Sequence, residues 1–269
     1  MLTALQYLIV TITIPYITLC AGIYLVQERL IFFPERVPPG TRYDIDLPFE
    51  EFFIPVDGAS LHTLWFRVSH PRGVVLYFHG NGGNLEIAAA VAPDFVARGY
   101  DVVMADYRGY GQSTGSISSE AQLLADAEVV YMWVAERYPE AQIVLFGSSL
   151  GSGLASRLAA DHQPRLLILE SPYYSVEAIA RRRFPWAPSF LLKYPLRSYS
   201  WIGQVRCPVV MFHGTNDTVI PFADGEQLAT AVTAPLFFYR IEGGGHVDSA
   251  RFRIYHEVID QLLGPALVN

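Results

Sequence analysis

The sequence predicts an α/β fold in which helices cover both faces of a mostly parallel central sheet, preceded by one N-terminal transmembrane helix. Beyond the N-terminal segment, short β-rich runs alternate with longer helical patterns, which is typical of this architecture. Several of the β-rich runs are apolar almost throughout, as is typical of strands buried on both faces. A length of 269 residues, 51% of them hydrophobic, suits one such domain with a short appendage.

The N-terminal segment from Leu2 to Val26 contains no charged residue and is long enough to cross a bilayer. At about 1.5 Å per residue it exceeds the roughly 30 Å of a hydrocarbon core. No Lys or Arg precedes it, and apolar residues continue past any small-residue cleavage site, so a retained anchor is favoured over a cleaved signal peptide. We therefore predict a membrane anchor over residues 1–28 and a folded domain over residues 29–269.

Basic residues follow the apolar segment at Arg29, Arg36 and Arg42, and none precedes it. Because cytoplasmic flanks of membrane spans are enriched in Lys and Arg, this predicts a single-pass protein whose folded domain lies in the cytoplasm. The run Arg181–Arg183 is interpreted either as a contact with lipid headgroups or, more commonly for such a run, as a solvated helix face.

Charge and cysteine content restrict the partners. A net charge of −7 with only 17% charged residues does not favour a nucleic-acid-binding face. Cys20 and Cys207 are too far apart in sequence and too few to indicate a disulfide framework or a metal site. We therefore expect no metal, no organic cofactor and no nucleic-acid partner. No pattern in the sequence predicts an oligomeric state.

The predicted sheet begins with a hairpin. The runs Phe52–Val56 and Leu61–Val68 are separated by the turn dipeptide Asp57-Gly58, which favours an antiparallel start. The later strands are predicted from apolar runs, which are Val74–Phe78, Val102–Ala105, Ile143–Phe146, Leu166–Leu169, Val209–Phe212 and Leu236–Ile241.

One helix and one insertion are predicted between these strands. Residues Ser119–Tyr138 show a helical pattern, with a capping box between Ser119 and Gln122 and a stop at Pro139. At about residues 173–204 the pattern loosens into aromatic, arginine and proline residues. This insertion is either a cap over an active site or a peripheral helical excursion, and the sequence favours neither.

The strongest chemical signal is the G-x-S-x-G motif at Gly147–Gly151. A predicted strand precedes it and a helical stretch follows it, which is the context in which the central serine sits on a strained turn with its hydroxyl exposed at the carboxyl edge of a sheet. Ser149 is therefore the predicted nucleophile. Ser148 lacks glycines at both required offsets.

A serine nucleophile needs a histidine as base and a carboxylate that orients it, in the chain order Ser, acid, His on such a fold. Only His246 and His256 follow the last predicted strand, and His246 comes after three glycines in a loop, so it is the predicted base. His256 lies in a helical pattern and is interpreted as a surface or packing residue, and His213 as a structural residue.

The predicted acid is Asp217, because it follows the strand Val209–Phe212 in a loop at the carboxyl edge of the sheet. Glu170, at the end of the preceding strand, is a rival position for the acid. Asp248 is too close in sequence to His246 to orient its ring easily and is interpreted as a loop-stabilising or binding residue.

An oxyanion hole supplies backbone N–H donors that each lower an acyl-transfer barrier by about 3 kcal/mol. One predicted donor is the amide of Leu150, the residue after the nucleophile. The other is predicted in the loop His79–Asn84, with Asn81 as first choice and Gly80 next. The loop Asp106–Gly111 is expected to shape the same rim.

Taken together, these motifs resemble the serine-hydrolase branch of the α/β-hydrolase superfamily, in particular its single-pass, bud-emergence-like and depalmitoylase-like members. The resemblance covers nearly the whole chain. It rests on Glu28–Pro34, His79–Asn84, Asp106–Gly111, Gly147–Gly151, His213–Asp217 and Gly245-His246.

The resemblance implies hydrolysis of an ester or thioester by acyl transfer to water. A peptidase or amidase using the same triad, and a catalytically silent membrane-tethered binding protein, are the alternatives. Depalmitoylases of this type carry an N-terminal cysteine cluster, whereas this chain has only Cys20 there. The anchor and the aromatic insertion, with Phe184, Trp186, Phe190 and Trp201, make a small-molecule or lipid-like acyl substrate the expected partner.

Overall fold

An eight-stranded sheet organises the protein, whose structure is a computed structural model that describes residues 4–264. Its strands in chain order are β1 (Glu50–Val56), β2 (Ala59–Phe66), β3 (Val74–Phe78), β4 (Asp101–Ala105), β5 (Ile143–Ser148), β6 (Leu166–Glu170), β7 (Val209–Gly214) and β8 (Leu236–Ile241). The spatial order is β1-β2-β4-β3-β5-β6-β7-β8. Strand β2 pairs antiparallel with β1 and β4, and all other pairs are parallel.

The predicted strands are all present, with ends shifted by no more than two residues. The hairpin turn lies at Asp57-Gly58, where Val56 pairs with Ala59 and Gly58 adopts a φ of 69°, which glycine tolerates. Strands β3, β4 and β6 are buried at every residue. The mostly parallel α/β architecture is therefore confirmed.

Helices pack on both faces of the sheet, and the first helix lies mostly outside the two cores. In chain order the helices are α1 (Ala4–Ile31), α2 (Leu85–Ala88), α3 (Ala92–Val96), α4 (Glu120–Ala135), α5 (Leu150–Asp161), α6 (Val176–Arg183), α7 (Ser198–Ile202), α8 (Phe222–Ala229) and α9 (Arg253–Leu263). Because side chains alternate along a strand, β3 sends Leu76 into the core shared with α4 and α5, and Val75 into the core shared with α3 and α9.

Helix α4 is shorter than predicted. Ser119 is its N-cap, and the Ser119 hydroxyl accepts a hydrogen bond from the Gln122 amide at 3.1 Å. The Gln122 side chain accepts from the Ser118 amide rather than from that of Ser119, so the reciprocal half of the capping box is shifted by one residue. Tyr138 lies outside the helix, consistent with the steric restriction that Pro139 places on the residue before it.

Helix α1 runs without interruption past the predicted boundary at residue 28. It is the one helix within residues 4–264 long and apolar enough to cross a membrane, over Gln6–Ile31 with a mean hydropathy of 2.0. Only 6% of an 18-residue apolar window within it is buried, so most of its apolar surface has no protein neighbour in the described chain. The predicted ranges 1–28 and 29–269 include residues 1–3 and 265–269, which lie outside the described residues.

The insertion at residues 173–204 contains α6, a short 3₁₀ turn (Ser189–Leu191) and α7. It lies between β6 and β7 in sequence and packs against the C-terminal half of α1. The Gln27 side chain donates to the Leu191 carbonyl at 3.0 Å and accepts from the Lys193 amide at 2.7 Å. The insertion therefore joins the N-terminal helix to the carboxyl edge of the sheet.

Candidate active site

Ser149 occupies the tight turn between β5 and α5. Its backbone has φ 50° and ψ −116°, a conformation that residues other than glycine rarely adopt. The flanking glycines permit this turn, since a Cβ at Gly147 would lie 2.4 Å from the Gly151 carbonyl oxygen and one at Gly151 would lie 2.0 Å from that of Phe78. The turn directs the Ser149 hydroxyl toward the loop that follows β8.

The structure brings the three predicted triad residues together. His246 Nε2 lies 2.9 Å from Ser149 Oγ, and His246 Nδ1 lies 2.8 Å from Asp217 Oδ2. Because a carboxylate can only accept, Nδ1 carries the hydrogen and Nε2 is left as the acceptor for the serine hydroxyl. This is the tautomer that a general base requires.

Asp217 is held as a carboxylate by its surroundings. Its Oδ1 accepts from the amides of Val219 and Ile220 at 2.9 and 2.8 Å. Burial alone would raise the pKa of Asp217, but hydrogen bonds from His213, His246 and Ile220 outweigh it and hold the pKa well below its usual range. A stable negative charge therefore stands behind the His246 ring.

The buried His213 ring packs behind Asp217, as expected of a structural residue. His213 Nε2 lies 2.9 Å from the Ile220 carbonyl oxygen and 3.4 Å from Asp217 Oδ2. A Cβ at Gly225 would lie 2.3 Å from His213 Nδ1, so α8 approaches the ring closely. His213 thereby helps to fix the position of the loop that carries Asp217.

The rival residues have other partners. Glu170 accepts from the Ser249 amide at 3.1 Å and from the Ser148 hydroxyl at 3.2 Å. Burial raises the pKa of Glu170 despite these bonds. Asp248 accepts from the Gly245 amide at 2.9 Å and so shapes the loop that carries His246. His256 Nε2 lies 2.7 Å from the Ala250 carbonyl oxygen, a contact that is consistent with a packing residue.

The predicted oxyanion donors Gly80, Asn81 and Leu150 lie near the nucleophile, Gly80 and Asn81 in the lining of the cavity that contains Ser149 and Leu150 as the next residue in sequence. A Cβ at Gly80 would lie 3.7 Å from the Ser149 Cβ, so the Gly80 backbone is directly beside the serine. Within the described chain, the amides of Asn81 and Leu150 donate no hydrogen bond to a protein group. The Leu150 amide also stands at the N-terminus of α5, where the helix dipole favours negative charge.

Two tyrosines hold the loop that carries the Gly80 and Asn81 amides. The Tyr107 hydroxyl donates to the His79 carbonyl at 2.6 Å, and the Tyr110 hydroxyl donates to the Asn81 carbonyl at 2.7 Å. Because a peptide unit is planar, these bonds fix the units that carry the Gly80 and Gly82 amides. The unit between them, which carries the Asn81 amide, has its Gly80 carbonyl oxygen 2.8 Å from His79 Nδ1. The sequence predicted only that the Asp106–Gly111 loop shapes the rim.

The segment after α1 was not predicted to contact this site. Phe33 and Pro34 pair in parallel with Gly82 and Gly83, and the Asn81 side chain donates to the Ile31 carbonyl at 2.7 Å. The Glu28–Pro34 motif, which carried part of the family resemblance, was the only sequence signal for this contact. It joins the end of α1 to the candidate oxyanion loop.

Two cavities meet at Asn81. One, of about 400 Å³, contains Ser149 and His246 together with polar groups such as Glu170. The other, of about 530 Å³, lies between α1 and the insertion. Among residues 4–264 there is no group of three or more His, Cys, Asp or Glu side chains that could hold a metal ion.

Comparison with known proteins places the chain in a family. Residues 69–202 match the family model described as "Serine aminopeptidase, S33". Protein bem46 of Schizosaccharomyces pombe is 30% identical over 219 residues, which cover 74% of this chain and 72% of bem46. Lysophosphatidylserine lipase ABHD12 of Danio rerio is 32% identical over 195 residues, which cover 63% of this chain and 49% of ABHD12.

Solved structures confirm the fold. The esterase Pf2001 of Pyrococcus furiosus superposes with a TM-score of 0.68 at 18% identity, covering 86% of this chain and 94% of the esterase. At 18% identity the structural similarity establishes the fold alone, and the family membership follows from the relatives that are similar in sequence. The chain therefore belongs to the α/β-hydrolase superfamily, in the serine-hydrolase branch that includes bem46.

Proposed function

We propose that this chain is a membrane-anchored serine hydrolase that transfers an acyl group from an ester or thioester to water. The observation that carries the proposal is the continuous hydrogen-bonded chain from Ser149 through His246 to Asp217, with distances of 2.9 and 2.8 Å. A catalytically silent binding protein would need no such alignment, nor a serine held at a strained positive φ.

In the proposed mechanism the Ser149 hydroxyl attacks the acyl carbonyl while His246 Nε2 takes its proton. The oxyanion that forms accepts hydrogen bonds from the amides of Leu150 and Asn81, with Gly80 beside them. His246 then protonates the leaving alcohol or thiol. Water, deprotonated by the same ring, attacks the acyl-serine. The bond to Ser149 Oγ then breaks, His246 returns the proton to that oxygen, and the acid is released. Asp217 stays ionised throughout and stabilises the imidazolium.

The membrane anchor is the second part of the proposal. Its support is the length, hydropathy and exposure of α1, whose apolar side chains at Leu8, Ile12 and Ile17 are more than half exposed. The exposed tip of the insertion lies beside the same helix, with Phe190 83% exposed. An exposed apolar surface of this kind is suited to lipid rather than water.

The test is hydrolysis of p-nitrophenyl esters from acetate to palmitate by the full chain in detergent, together with labelling by a fluorophosphonate probe. Turnover and labelling are expected to disappear in Ser149→Ala, because no other described serine bonds His246. Ser148→Ala is the matched control, since its hydroxyl bonds Glu170, and it should still take the label. A folded wild-type protein that neither turns over nor labels would favour the silent binding protein.

Amide hydrolysis is a second candidate, favoured by the match to the serine aminopeptidase family model and by the buried carboxyl of Glu170 in the triad cavity. Such a carboxyl could pair with the free amino group of a peptide substrate. Aminoacyl p-nitroanilides distinguish the two candidates, because a peptidase of this kind should hydrolyse them and should lose that activity when their amino group is acetylated. Hydrolysis of the esters without any hydrolysis of the anilides would support the first candidate.

A further inference from the structure

We infer that α1 is one wall of an acyl-chain groove, and that its occupant is a single acyl chain of a lipid ester drawn from the bilayer into the site. The inference rests on the proposed function and assigns its substrate class and route of entry. It makes the N-terminal helix part of the substrate site as well as an anchor.

One face of α1 lines the 530 Å³ cavity, through Cys20, Ile23, Gln27, Leu30 and Ile31. Their spacings of three and four residues, with Ile31 next to Leu30, place them along one stripe of a helix. On the other faces of α1, side chains such as those of Leu19 and Leu25 are 51% and 72% exposed. The helix therefore has a groove-lining face distinct from its outward-facing surface.

The opposite wall is provided by α6 and the segment after it. Val176, Ile179 and Ala180 line the cavity with helical spacing, and Phe184 and Leu191 continue the apolar surface. The volume lies within the roughly 300–1,000 Å³ of typical small-molecule sites. A groove with apolar side chains on both walls favours an apolar ligand, because burial in it removes hydrocarbon from water.

Charged side chains in the lining come from α6, at Glu177, Arg181 and Arg183. Glu177 is already paired with Arg197 at 2.7 Å. Helix α1 contributes no charged side chain to the lining. The stripe on α1 is therefore uncharged along its whole length, which suits a hydrocarbon chain.

The groove borders the cavity that contains Ser149 and His246. Asn81 lines both cavities, and its side chain bonds the Ile31 carbonyl at the end of α1. Thr218 and Val219, which follow the acid Asp217, also line the groove. An acyl carbonyl placed at Ser149 and the Asn81 amide can thus extend its chain directly into the groove.

The other end of the groove lies at bilayer depth. From Ile31 to Cys20 the helix rises about 16 Å, roughly the extended length of a dodecanoyl chain. Cys20 precedes Glu28, the first charged residue of α1, by about 12 Å of helix, so it lies within the apolar span. A chain entering at Cys20 comes from the hydrocarbon region, not from water.

Hydrogen bonds hold the two walls at this separation. The Tyr16 hydroxyl donates to the Trp186 carbonyl at 3.0 Å near the deep end. Gln27 bonds the backbone of Leu191 and Lys193 near the shallow end. Fixed walls at both ends give the groove a defined width, so that filling it with a larger side chain should exclude the acyl chain.

The first test compares Ile23→Trp, which fills the groove, with Leu25→Trp, which adds the same ring to the exposed face of α1. The full chain is reconstituted in phosphatidylcholine vesicles and assayed with p-nitrophenyl laurate and acetate. The laurate-to-acetate ratio of kcat/KM should fall at least tenfold in Ile23→Trp, because several methylene contacts are lost and each contributes appreciably to discrimination. The ratio in Leu25→Trp should match wild type. An unchanged ratio in Ile23→Trp would overturn the inference.

A second test does not depend on turnover. Ser149→Ala protein in the same vesicles is photolysed with a dodecanoyl glycerol ester that carries a diazirine at the chain end. Crosslinks should map near Cys20 and Ile23 and to α6, be suppressed by excess unlabelled ester, and be lost in the Ser149→Ala, Ile23→Trp double variant.

Crosslinks that are spread over the outward faces of α1 and are unaffected by Ile23→Trp would overturn the inference of an acyl-chain groove, whether or not the protein hydrolyses esters. Specific crosslinks in a protein with no hydrolase activity would instead support the groove and contradict the proposed function. The two failures are therefore distinguishable.

Discussion

The Asp217 carboxylate shows how a single residue controls the chemistry proposed for this site. It is buried, yet it receives hydrogen bonds from two backbone amides and from His246. Burial opposes ionisation of such a group, and these bonds reverse the balance, so its pKa lies below the usual range. The His246 ring is oriented by this charge.

Replacing the acid tests that role. Asp217→Asn should lower kcat by about 10⁴-fold, because the amide can donate to Nδ1 and favour the wrong tautomer of His246. Glu170→Gln, at the rival acid position, should cost far less, since Glu170 bonds Ser148 and Ser249 instead. The measurement is ester hydrolysis by both variants. A larger loss in Glu170→Gln would transfer the role to Glu170.

The same carboxylate predicts a pH dependence of stability. A pKa lowered in the folded state means that the ionised group stabilises the fold above its unfolded pKa of about 3.9, and that this contribution disappears as the pH falls toward the folded value. The difference in unfolding free energy between wild type and Asp217→Asn should therefore be constant down to about pH 5 and shrink below pH 4. Urea titrations in detergent measure it, and a difference that grows on acidification would contradict the prediction.

At the scale of the elements, the turn between β5 and α5 depends on glycine. Gly151 lies against the backbone of β3, and a Cβ there would lie 2.0 Å from the Phe78 carbonyl oxygen. Backbone atoms of a central strand cannot move aside as a flexible side chain can. The position of α5, and with it the Leu150 amide, therefore depends on the absence of a side chain at Gly151.

Gly151→Ala should destabilise the protein by about 1–3 kcal/mol and reduce fluorophosphonate labelling of Ser149, because the added methyl group displaces α5 from β3. Gly22→Ala is the matched control, since no atom lies within 4 Å of a Cβ at that position. Thermal unfolding and labelling rate are the readouts. Unchanged labelling in Gly151→Ala would show that the turn tolerates the extra atom.

At the scale of the whole molecule, α1 and the insertion are joined beside the carboxyl edge of the sheet. Lys193 and Tyr194 of the insertion bond Glu28, in the last turn of α1, at 2.9 and 3.0 Å. The carboxyl edge that carries Ser149 is thereby placed next to the end of the helix. A substrate partitioned into lipid would meet the site without crossing bulk water.

The anchor itself gives a prediction about localisation. The full chain should remain in the membrane fraction after alkaline carbonate extraction, and the double variant Ile12→Arg, Ile17→Arg should be released, because each charge at the centre of a span costs about 2.5–3.5 kcal/mol. The Leu variants at the same two positions serve as controls. Protease accessibility of a C-terminal tag tests the predicted cytoplasmic side. Extraction of the wild type by carbonate would exclude the anchor.

The sequence determined the local features of this protein. Strand ends, the hairpin at Asp57-Gly58, the apolar helix and the G-x-S-x-G turn all follow from short-range periodicity and turn chemistry, which act over a few residues. The chain order of Ser149, Asp217 and His246 was also readable, because loops at the carboxyl edge follow predictable strands. The mostly parallel topology then brings those loops to one edge.

Only the tertiary structure determined which segments, distant in sequence, are in contact. The contact of Ser149 with His246 spans 97 positions, and its 2.9 Å distance depends on the packing of whole strands. The contact of α1 with the insertion and with Asn81 joins segments with no shared local pattern, so no periodicity could predict it. Even the shift of the Gln122 cap by one residue reflects a competition between neighbouring amides that geometry alone resolves.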